Sequence, residues 1–535
     1  MKKVLKEKLE DLIKKLYNLE ESIEVSIPCN KEFGDFSTNV ALKLAKKLGK
    51  APKDIADEIT ANLEIDSVTK CEIKMPGFIN FFVDNSYLYE NIFKVLEKDE
   101  NYGRNEIGKG QNYNIEFVSA NPTGILHLGN ARGGAYGDNL ARILKFSGYD
   151  VTKEYYINDA GNQINNLGLS LRARYLNLCG KNEELPENGY YGPEIIEMAQ
   201  KIFDVHGKDY IEQPLEYYKD LATKELLDNI IKDLEEYGVT YDVFTSERDI
   251  YKRYSLTGIV EELDKNGYIF DEDGAKWFKS SALLDDKDHV LIKNDGAYTY
   301  LLPDIAYHTD KYKRGFTKII DVLGTDHHGY VARLKSAMKA LGYDENVVDV
   351  KLLQLVRLMS GKEIVKMSKR TGNTVTLKEL VDEVGVRAAR YFFAMRSLDT
   401  QMDFDMELAK KTSNENPVYY VSYAYARICT ILKDNDTDEK IDKFTYLPNK
   451  SVEQLLNCVY NFPEVVKSAA TKEMPHLITN YVYELANLFH NYYSNNRILV
   501  DDIREQVENI YLIKAVKITI KNALNLVGVE PFEKM

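Results

Sequence analysis

Cysteine is scarce in this 535-residue chain, and its spacing carries no pattern. The five cysteines, Cys29, Cys71, Cys179, Cys429 and Cys458, are scattered, odd in number and without CxxC pairs. That argues against a disulfide framework or a zinc site. Histidine is also sparse, at eight, so no structural metal is expected. No apolar run approaches the roughly 18 residues that cross a bilayer. The lysine-rich start, MKKVLKEKLEDLIKKL, never becomes continuously apolar. Val4, Leu5, Leu9, Leu12, Ile13 and Leu16 recur there at helical spacing, as in an amphipathic helix rather than a signal peptide. A cytoplasmic protein is therefore expected. Long repeats and low-complexity tracts are missing. Positive charge is in deficit, with a formal net charge of −14. At first sight that speaks against nucleic acid, but in a large protein one basic face can coexist with acidic flanks.

What is present is ordinary for a soluble globular chain: 44% hydrophobic and 29% charged residues. The length suggests about three or four domains. Tyrosine is abundant at 38, which fits either a compositional bias towards Tyr, Lys, Asn and Ile or a role in stacking.

Three regions differ in pattern. Residues 1–105 read as a small α+β domain, with helices over about 2–19, 37–48 and 53–63 and strand material in CEIKMPGFINFFV around a Pro-Gly turn. Residues 106–405 alternate strands and helices. NYNIEFV, DVTKEYYIND, TKIIDVLG and VKLLQLVRLM read as strands, HLGNARGGAYGDNLARILKFSG as a loop entering a helix, and about 160–235 as a helical insertion. Such alternation predicts βαβ units in a Rossmann-type, doubly wound parallel sheet. Residues 406–535 read as an all-α helix bundle, with helices over about 415–433, 450–470, 475–496 and 502–526. The fold class is thus α/β, flanked by a small α+β domain and a helical domain.

Two segments carry phosphate chemistry. The first, Ser119-Ala-Asn-Pro-Thr-Gly-Ile-Leu-His127-Leu-Gly129-Asn130, lies between an expected strand and helix. Gly124 and Gly129 let backbone approach a ligand. The helix N-terminus offers free N–H groups to an anion, and His127 can donate to phosphate oxygens. By itself the pattern also fits a glycine turn with an incidental histidine. The second segment, KEIVKMSKR followed by Thr371-Gly372-Asn373, places Lys366, Lys369 and Arg370 on a glycine-flanked loop. Such a loop can close over a triphosphate and neutralise departing pyrophosphate, or it is a solvated basic turn.

Together the two segments resemble the signature of class I aminoacyl-tRNA synthetases, HLGN corresponding to HIGH and KMSKR to KMSKS. The last histidine of the first motif is Asn130 here, which can donate to phosphate but carries no charge. By this resemblance Pro122, Gly124, His127, Gly129, Asn130, Met367, Ser368 and Lys369 bind ATP, and His127, Gly129, Asn130, Lys366, Lys369 and Arg370 serve catalysis. EFVSANPTG, YYINDAGNQI, DGAYTYLLPDIAYH, GTDHHGY, KRTGNTVTLKEL and NPVYYVSYAYARI, in that order, are similar to arginyl-tRNA synthetases over most of the chain.

That resemblance implies an arginine pocket. A planar, always-charged guanidinium calls for carboxylates that accept paired hydrogen bonds. Asp304 and Tyr300, four apart, and Glu247 match the family's pocket residues. Asp304 also suits a helix N-cap, and Glu247 a surface ion pair. Glu116, Ser119 and Asn121 precede the phosphate loop and are implied around the substrate's α-amino and carboxylate groups. Asp326 and His327 follow the strand TKIIDVLG, at the sheet edge where such folds bind ligands. Asn158, Asp159 and Gln163 are placed near the pocket floor. The resemblance implies ATP with Mg²⁺ as substrate complex, no tightly bound cofactor, tRNA(Arg) and L-arginine as partners, first attack by the 2′-hydroxyl, a need for bound tRNA in the first step, and a monomer. For tRNA, Phe78 and Asn80 in GFINF are candidates for a D-loop base, and Tyr420, Tyr423, Arg427 and Tyr493 for the anticodon. Tyr419, Tyr425, Tyr492 and Arg497 neighbour them, and helical spacing sends several of these tyrosines to the core. Alternatives are another synthetase of the class, a nucleotidylyltransferase sharing the phosphate loop, and a catalytically silent tRNA-binding paralogue.

Overall fold

The N-terminal amphipathic pattern forms helix Lys2–Tyr17 and packs Leu5, Leu9 and Ile13 into a small core with Leu44, Ile55, Ile79 and Phe81. The computed structural model describes the chain except residues 1, 27, 29, 30, 66, 85, 328, 362, 365–374, 438, 442 and 447–449; the side chains of 3, 31, 86–88 and 326 are likewise left aside. Contacts divide the chain into two units, one of residues 1–102, 428–461 and 487–519, the other of 103–427, 462–486 and 520–535.

In the first unit an antiparallel sheet runs Val25–Ser26, Phe36–Thr38, Phe78–Val83, Val68–Lys74. The helix expected from residue 37 begins only at Val40, because Phe36–Thr38 pairs as a strand with Ile79–Phe81. Ser37 and Asn80 face each other in this register.

In the second unit five parallel strands order as Val348–Leu353, Lys318–Gly324, Asn112–Phe117, Asp150–Ile157, Val243–Ser246. Numbered by their sequence, that is 3-2-1-4-5 read from the other edge, the doubly wound arrangement whose ligand crevice opens where strand order reverses. Here the reversal falls between Asn112–Phe117 and Lys318–Gly324. Helix Leu128–Phe146 packs closely on the first strand: a Cβ at Gly137 would stand 2.2 Å from the Phe117 ring. Helices Gly161–Leu178, Pro193–His206 and Leu215–Glu236 form the insertion with its own core.

VKLLQLVRLM, expected as one strand, is two. It breaks at Gln354-Leu355, and Val356–Ser360 pairs instead with Met402–Asp405 and Glu363–Ile364. The buried Arg132 guanidinium caps the break, donating to the carbonyl of Gln354 at 2.9 Å. A small antiparallel sheet of Ile269–Glu272, Ala275–Phe278 and His289–Ile292 had no counterpart in the sequence reading. After residue 406 the chain is helical, with long helices Pro417–Asn435, Lys450–Lys472, His476–Asn495 and Ile503–Leu526. Among the described residues no helix is long and apolar enough to cross a membrane.

Candidate active site

The strand register lines up three acidic residues under the crevice. Glu116 pairs with Glu154 on one side and Asp321 on the other. All three are buried, a costly arrangement unless cations answer it. Helix Leu301–Lys313 supplies one, and Arg314 just beyond it another. Lys311, fully buried, donates to Glu116 Oε2 at 2.6 Å and Asp321 Oδ1 at 2.9 Å. Arg314 donates to both oxygens of Glu154 at 2.9 and 2.8 Å. Burial works against ionisation of Asp321 and Glu154, yet these cations hold both below the ordinary carboxylate range.

Above this base stands an acidic pocket. Glu247 opens helix Glu247–Arg253 and is buried. Ser246 caps that helix and donates to Asp159 Oδ2 at 2.6 Å, while the Arg248 N–H donates to Asp159 Oδ1 at 3.0 Å. Asp159 therefore orients the helix start that presents Glu247. One turn on, the Tyr251 hydroxyl donates to Glu247. Asp304 lies inside the first turn of Leu301–Lys313, not at its N-cap, and accepts the Tyr330 hydroxyl. The two helices are tied by Arg253 to Asp310 at 3.0 Å.

The carboxylates converge. Burial lifts the Asp304 pKa to about 6, and the charges of Glu116 and Glu247 add to the rise. Glu247 is raised as well, by burial first and then by Asp159. Tyr156 sits among them: its ring lies 4.3 Å from that of Tyr307, and burial followed by Glu247, Asp304 and Glu116 raises its phenol. Its buried hydroxyl meets no hydrogen-bonding partner among the described residues.

At the crevice mouth Ser119, with φ 37°, turns its hydroxyl back to Glu116 Oε1 at 2.9 Å and accepts the Tyr156 N–H at 3.1 Å. Asn121 is held from both sides, donating to Gln163 at 2.7 Å and accepting from Asn158 at 2.8 Å. Pro122 is buried and Gly124 exposed, with open space where its Cβ would be. Asp326 and His327 fall in the turn Thr325–His327 after the strand, and His327 is exposed.

The phosphate loop is a capped helix start. His127 is the N-cap of Leu128–Phe146, its Nδ1 accepting the Gly129 N–H at 3.1 Å. A Cβ on Gly129 would come within 2.9 Å of that ring. Asn130 completes a capping box, its Oδ1 accepting the His127 N–H at 3.0 Å. Crowding by the loop lowers the His127 pKa. The ring is therefore neutral near pH 7, and because Nδ1 accepts, Nε2 carries the proton. Residues on the far side of the second basic motif also reach this loop. His127 bridges Thr376, and the Leu377 N–H donates to the Leu126 carbonyl at 2.8 Å. Lys366, Met367, Ser368, Lys369 and Arg370 lie outside the described residues.

Two placements depart from expectation. Tyr300, expected to line the pocket, is 88% exposed at the N-cap of the helix, and the phenol that donates to Asp304 is that of Tyr330. Asn80 is 2% exposed and accepts the Ser37 hydroxyl at 2.7 Å, so its side chain serves the sheet interior. Its neighbour Phe78 is exposed. Among the other tRNA candidates, Tyr420 and Tyr423 are half-buried and Tyr493 is exposed, while Tyr425 and Tyr492 are core. Arg427 lies 4.4 Å over the Tyr423 ring and donates to its hydroxyl at 2.6 Å.

Sequence reasoning passed over Tyr156, Tyr251, His308, Lys311, Asp321 and Tyr330. Spacing gave a clue to Tyr251, four residues after Glu247 on a helical pattern. A histidine and a lysine spaced three apart on a helix that begins LLPDIAY, His308 and Lys311, were a second signal.

Residues 91–408 match the family of class I tRNA synthetase catalytic domains for arginine (R), residues 1–83 the arginyl tRNA synthetase N terminal domain, and residues 421–535 the DALR anticodon binding domain. The chain is 48% identical to the arginine–tRNA ligase of Bacillus licheniformis, covering 100% of this chain and 99% of that one. The chain belongs to the arginyl-tRNA synthetase family. The arginine–tRNA ligase of Bacillus subtilis is 46% identical over the same shares. The structure of Thermus thermophilus arginyl-tRNA synthetase, 20% identical, aligns over 100% of both chains with a TM-score of 0.75, a likeness of fold.

Proposed function

We propose that this chain ligates L-arginine to its cognate tRNA at the expense of ATP, through an arginyl-adenylate. The observation that carries the proposal is the convergence of the Glu247 and Asp304 carboxylates on two helices tied by Arg253 and Asp310, each lifted above its ordinary range by burial. Each carboxylate has one oxygen engaged by a tyrosine, Tyr251 or Tyr330. The second oxygens are left to receive guanidinium N–H groups. Lysine would place a point charge where a fork is expected, and citrulline would bring no charge at all.

Ser119, Asn121, Asp326 and His327 stand at the carboxyl ends of the strands, suited to the α-amino and carboxylate groups. Glu116, locked by Lys311 and Ser119, sets the charge beneath them. Tyr300 would join only by swinging in from its exposed position. ATP enters as its Mg²⁺ complex, its phosphates facing the N-terminus of Leu128–Phe146, the Nε2–H of His127 and the amide of Asn130. Gly124 leaves room for the nucleotide beside Pro122. The arginine carboxylate oxygen attacks the α-phosphorus and the bond to pyrophosphate breaks. Lys366, Lys369 and Arg370 are proposed to neutralise the leaving pyrophosphate, and Met367 and Ser368, between them in sequence, to contact ATP. The terminal tRNA hydroxyl then attacks the activated carbonyl, loses its proton and expels AMP. No side chain acts as nucleophile; positioning and charge neutralisation lower the barrier.

The three regions 1–105, 106–405 and 406–535 are proposed as outer-corner tRNA binding, catalysis and anticodon binding. Phe78 offers an exposed ring to the first task. The Arg427–Tyr423 stack, with Tyr420 and Tyr493, offers surfaces for unstacked bases to the last. The proposal also takes the enzyme to be a cytoplasmic monomer. Arginine-dependent ATP–pyrophosphate exchange, with and without tRNA, tests it. Exchange should appear once tRNA is bound. If tRNA binds and no exchange occurs under either condition, the catalytic reading is wrong.

A further inference from the structure

His308 lies on the face of Leu301–Lys313 that turns towards the sheet, and it is buried at 5% exposure. Its Nδ1 is 2.8 Å from the backbone carbonyl of Asp304, and its Nε2 is 2.8 Å from Asp321 Oδ2. A carbonyl only accepts, and so does an ionised carboxylate. Asp321 has its other oxygen on the Lys311 ammonium at 2.9 Å, which keeps it ionised. Both ring nitrogens must then donate, and a neutral imidazole has only one N–H to give.

We infer that His308 is a doubly protonated imidazolium fixed beneath Asp304, and that its charge is a determinant of arginine affinity in the pocket. This rests on the reading that Asp304 receives the guanidinium. The groups around it can be counted. Lys311 on the same helix, Arg314 just past its end and His308 itself supply three positive charges; Asp321, Glu116 and Glu154, on adjacent strands, supply three negative ones. The base beneath the pocket is then neutral, and the acidity of Asp304 and Glu247 above it is net charge available to the ligand. Two phenols also stand here, Tyr307 at 5.6 Å between ring centroids and Tyr330, whose hydroxyl donates to Asp304. With a neutral ring at 308 the base would carry one negative charge. That charge would favour protonated, non-binding forms of the two carboxylates above. Burial alone would lower the His308 pKa, but the Asp321 carboxylate outweighs it and the pKa is raised. The His308 charge also acts directly on Asp304, where it works against the rise caused by burial. His308 is therefore a positioning residue: it grips the first helical turn through the Asp304 carbonyl and conditions the carboxylate that meets substrate.

The direct test is ¹⁵N NMR of the full-length protein labelled only at histidine. Of its eight histidines, one should retain both ring protons at about pH 8.5, well above the ordinary imidazole range, and its signal should vanish in His308→Gln. Absence of any imidazolium at that pH in the unaltered protein overturns the inference without need of a variant. Kinetically, His308→Gln should raise the arginine KM about tenfold, the factor carried by one pKa unit of lost charge stabilisation, with a smaller change in kcat. It should also move the acid limb of 1/KM to higher pH. His308→Lys, which restores the charge, should recover part of the affinity. An imidazolium in the wild type combined with an unchanged arginine KM in His308→Gln refutes the affinity claim. If instead Asp304→Asn leaves arginine binding intact while the imidazolium is seen, the pocket reading fails and the protonation of His308 stands.

Discussion

Asp304→Asn separates the cost of the pocket from its use. The carboxyl is raised from 3.8 to about 6 on folding, chiefly by burial. Between those pH values the native state binds more protons than the unfolded chain, so stability falls as pH rises through the window and the full cost is borne above it. A shift of about two units corresponds to ~3 kcal/mol, or about 2 kcal/mol after discounting for the part of the side chain that meets solvent. The amide variant should therefore be more stable than the wild type by about that amount at pH 7.5 without arginine, and no more stable below pH 3.8. The same change removes a charge-assisted bond to the guanidinium, worth roughly 1.5–3 kcal/mol, which is about a 10- to 150-fold rise in arginine KM. In the wild type the arginine KM should climb as pH falls below 6, by about tenfold per unit. Urea denaturation at the two pH values and exchange kinetics across pH 5–8 read both effects. A variant that is less stable at pH 7.5, or a wild-type KM indifferent to pH below 6, would refute the reasoning.

Other perturbations follow from the same geometry. Lys311→Met strands Glu116 and Asp321 without their shared cation, and urea melts should show a loss of about 3–5 kcal/mol; a near-neutral effect would mean the carboxylates are not charged together. Asn130→Ala breaks the capping box at the phosphate loop, so stability should drop by about 0.5–2 kcal/mol and the ATP KM should rise in the same protein. Phe78→Ala should raise the KM for tRNA with little change in stability, whereas Asn80→Ala, which removes the partner of Ser37, should show chiefly in the unfolding midpoint.

Periodicity made the architecture legible because each element repeats its signal many times. The strand TKIIDVLG and the helix after HLGN are instances, and the C-terminal helices fall within a few residues of their expected ends. The split of VKLLQLVRLM was hidden, since the break is made by Arg132, more than two hundred residues away, and not by a local turn residue. Local geometry was readable where it sits in a compact motif, as with the helix start at His127, Gly129 and Asn130. The site was unreadable where it depends on register across strands. Nothing local says that Glu116, Glu154 and Asp321 lie side by side, or that Lys311 and His308 come down upon them. Tyr330 was hidden for the same reason: its hydroxyl reaches Asp304 through a fold contact between residues 26 apart in sequence.

The claim that Glu247 and Asp304 together form a guanidinium site is tested most directly by calorimetric titration of arginine and citrulline into the tRNA-bound enzyme. The two ligands have nearly the same shape and differ in charge. Arginine should bind at least about a hundredfold more tightly, as two charge-assisted bonds require, and Glu247→Gln combined with Asp304→Asn should erase most of the difference. Equal affinities in the wild type, or a preference that survives the double substitution, would contradict the account.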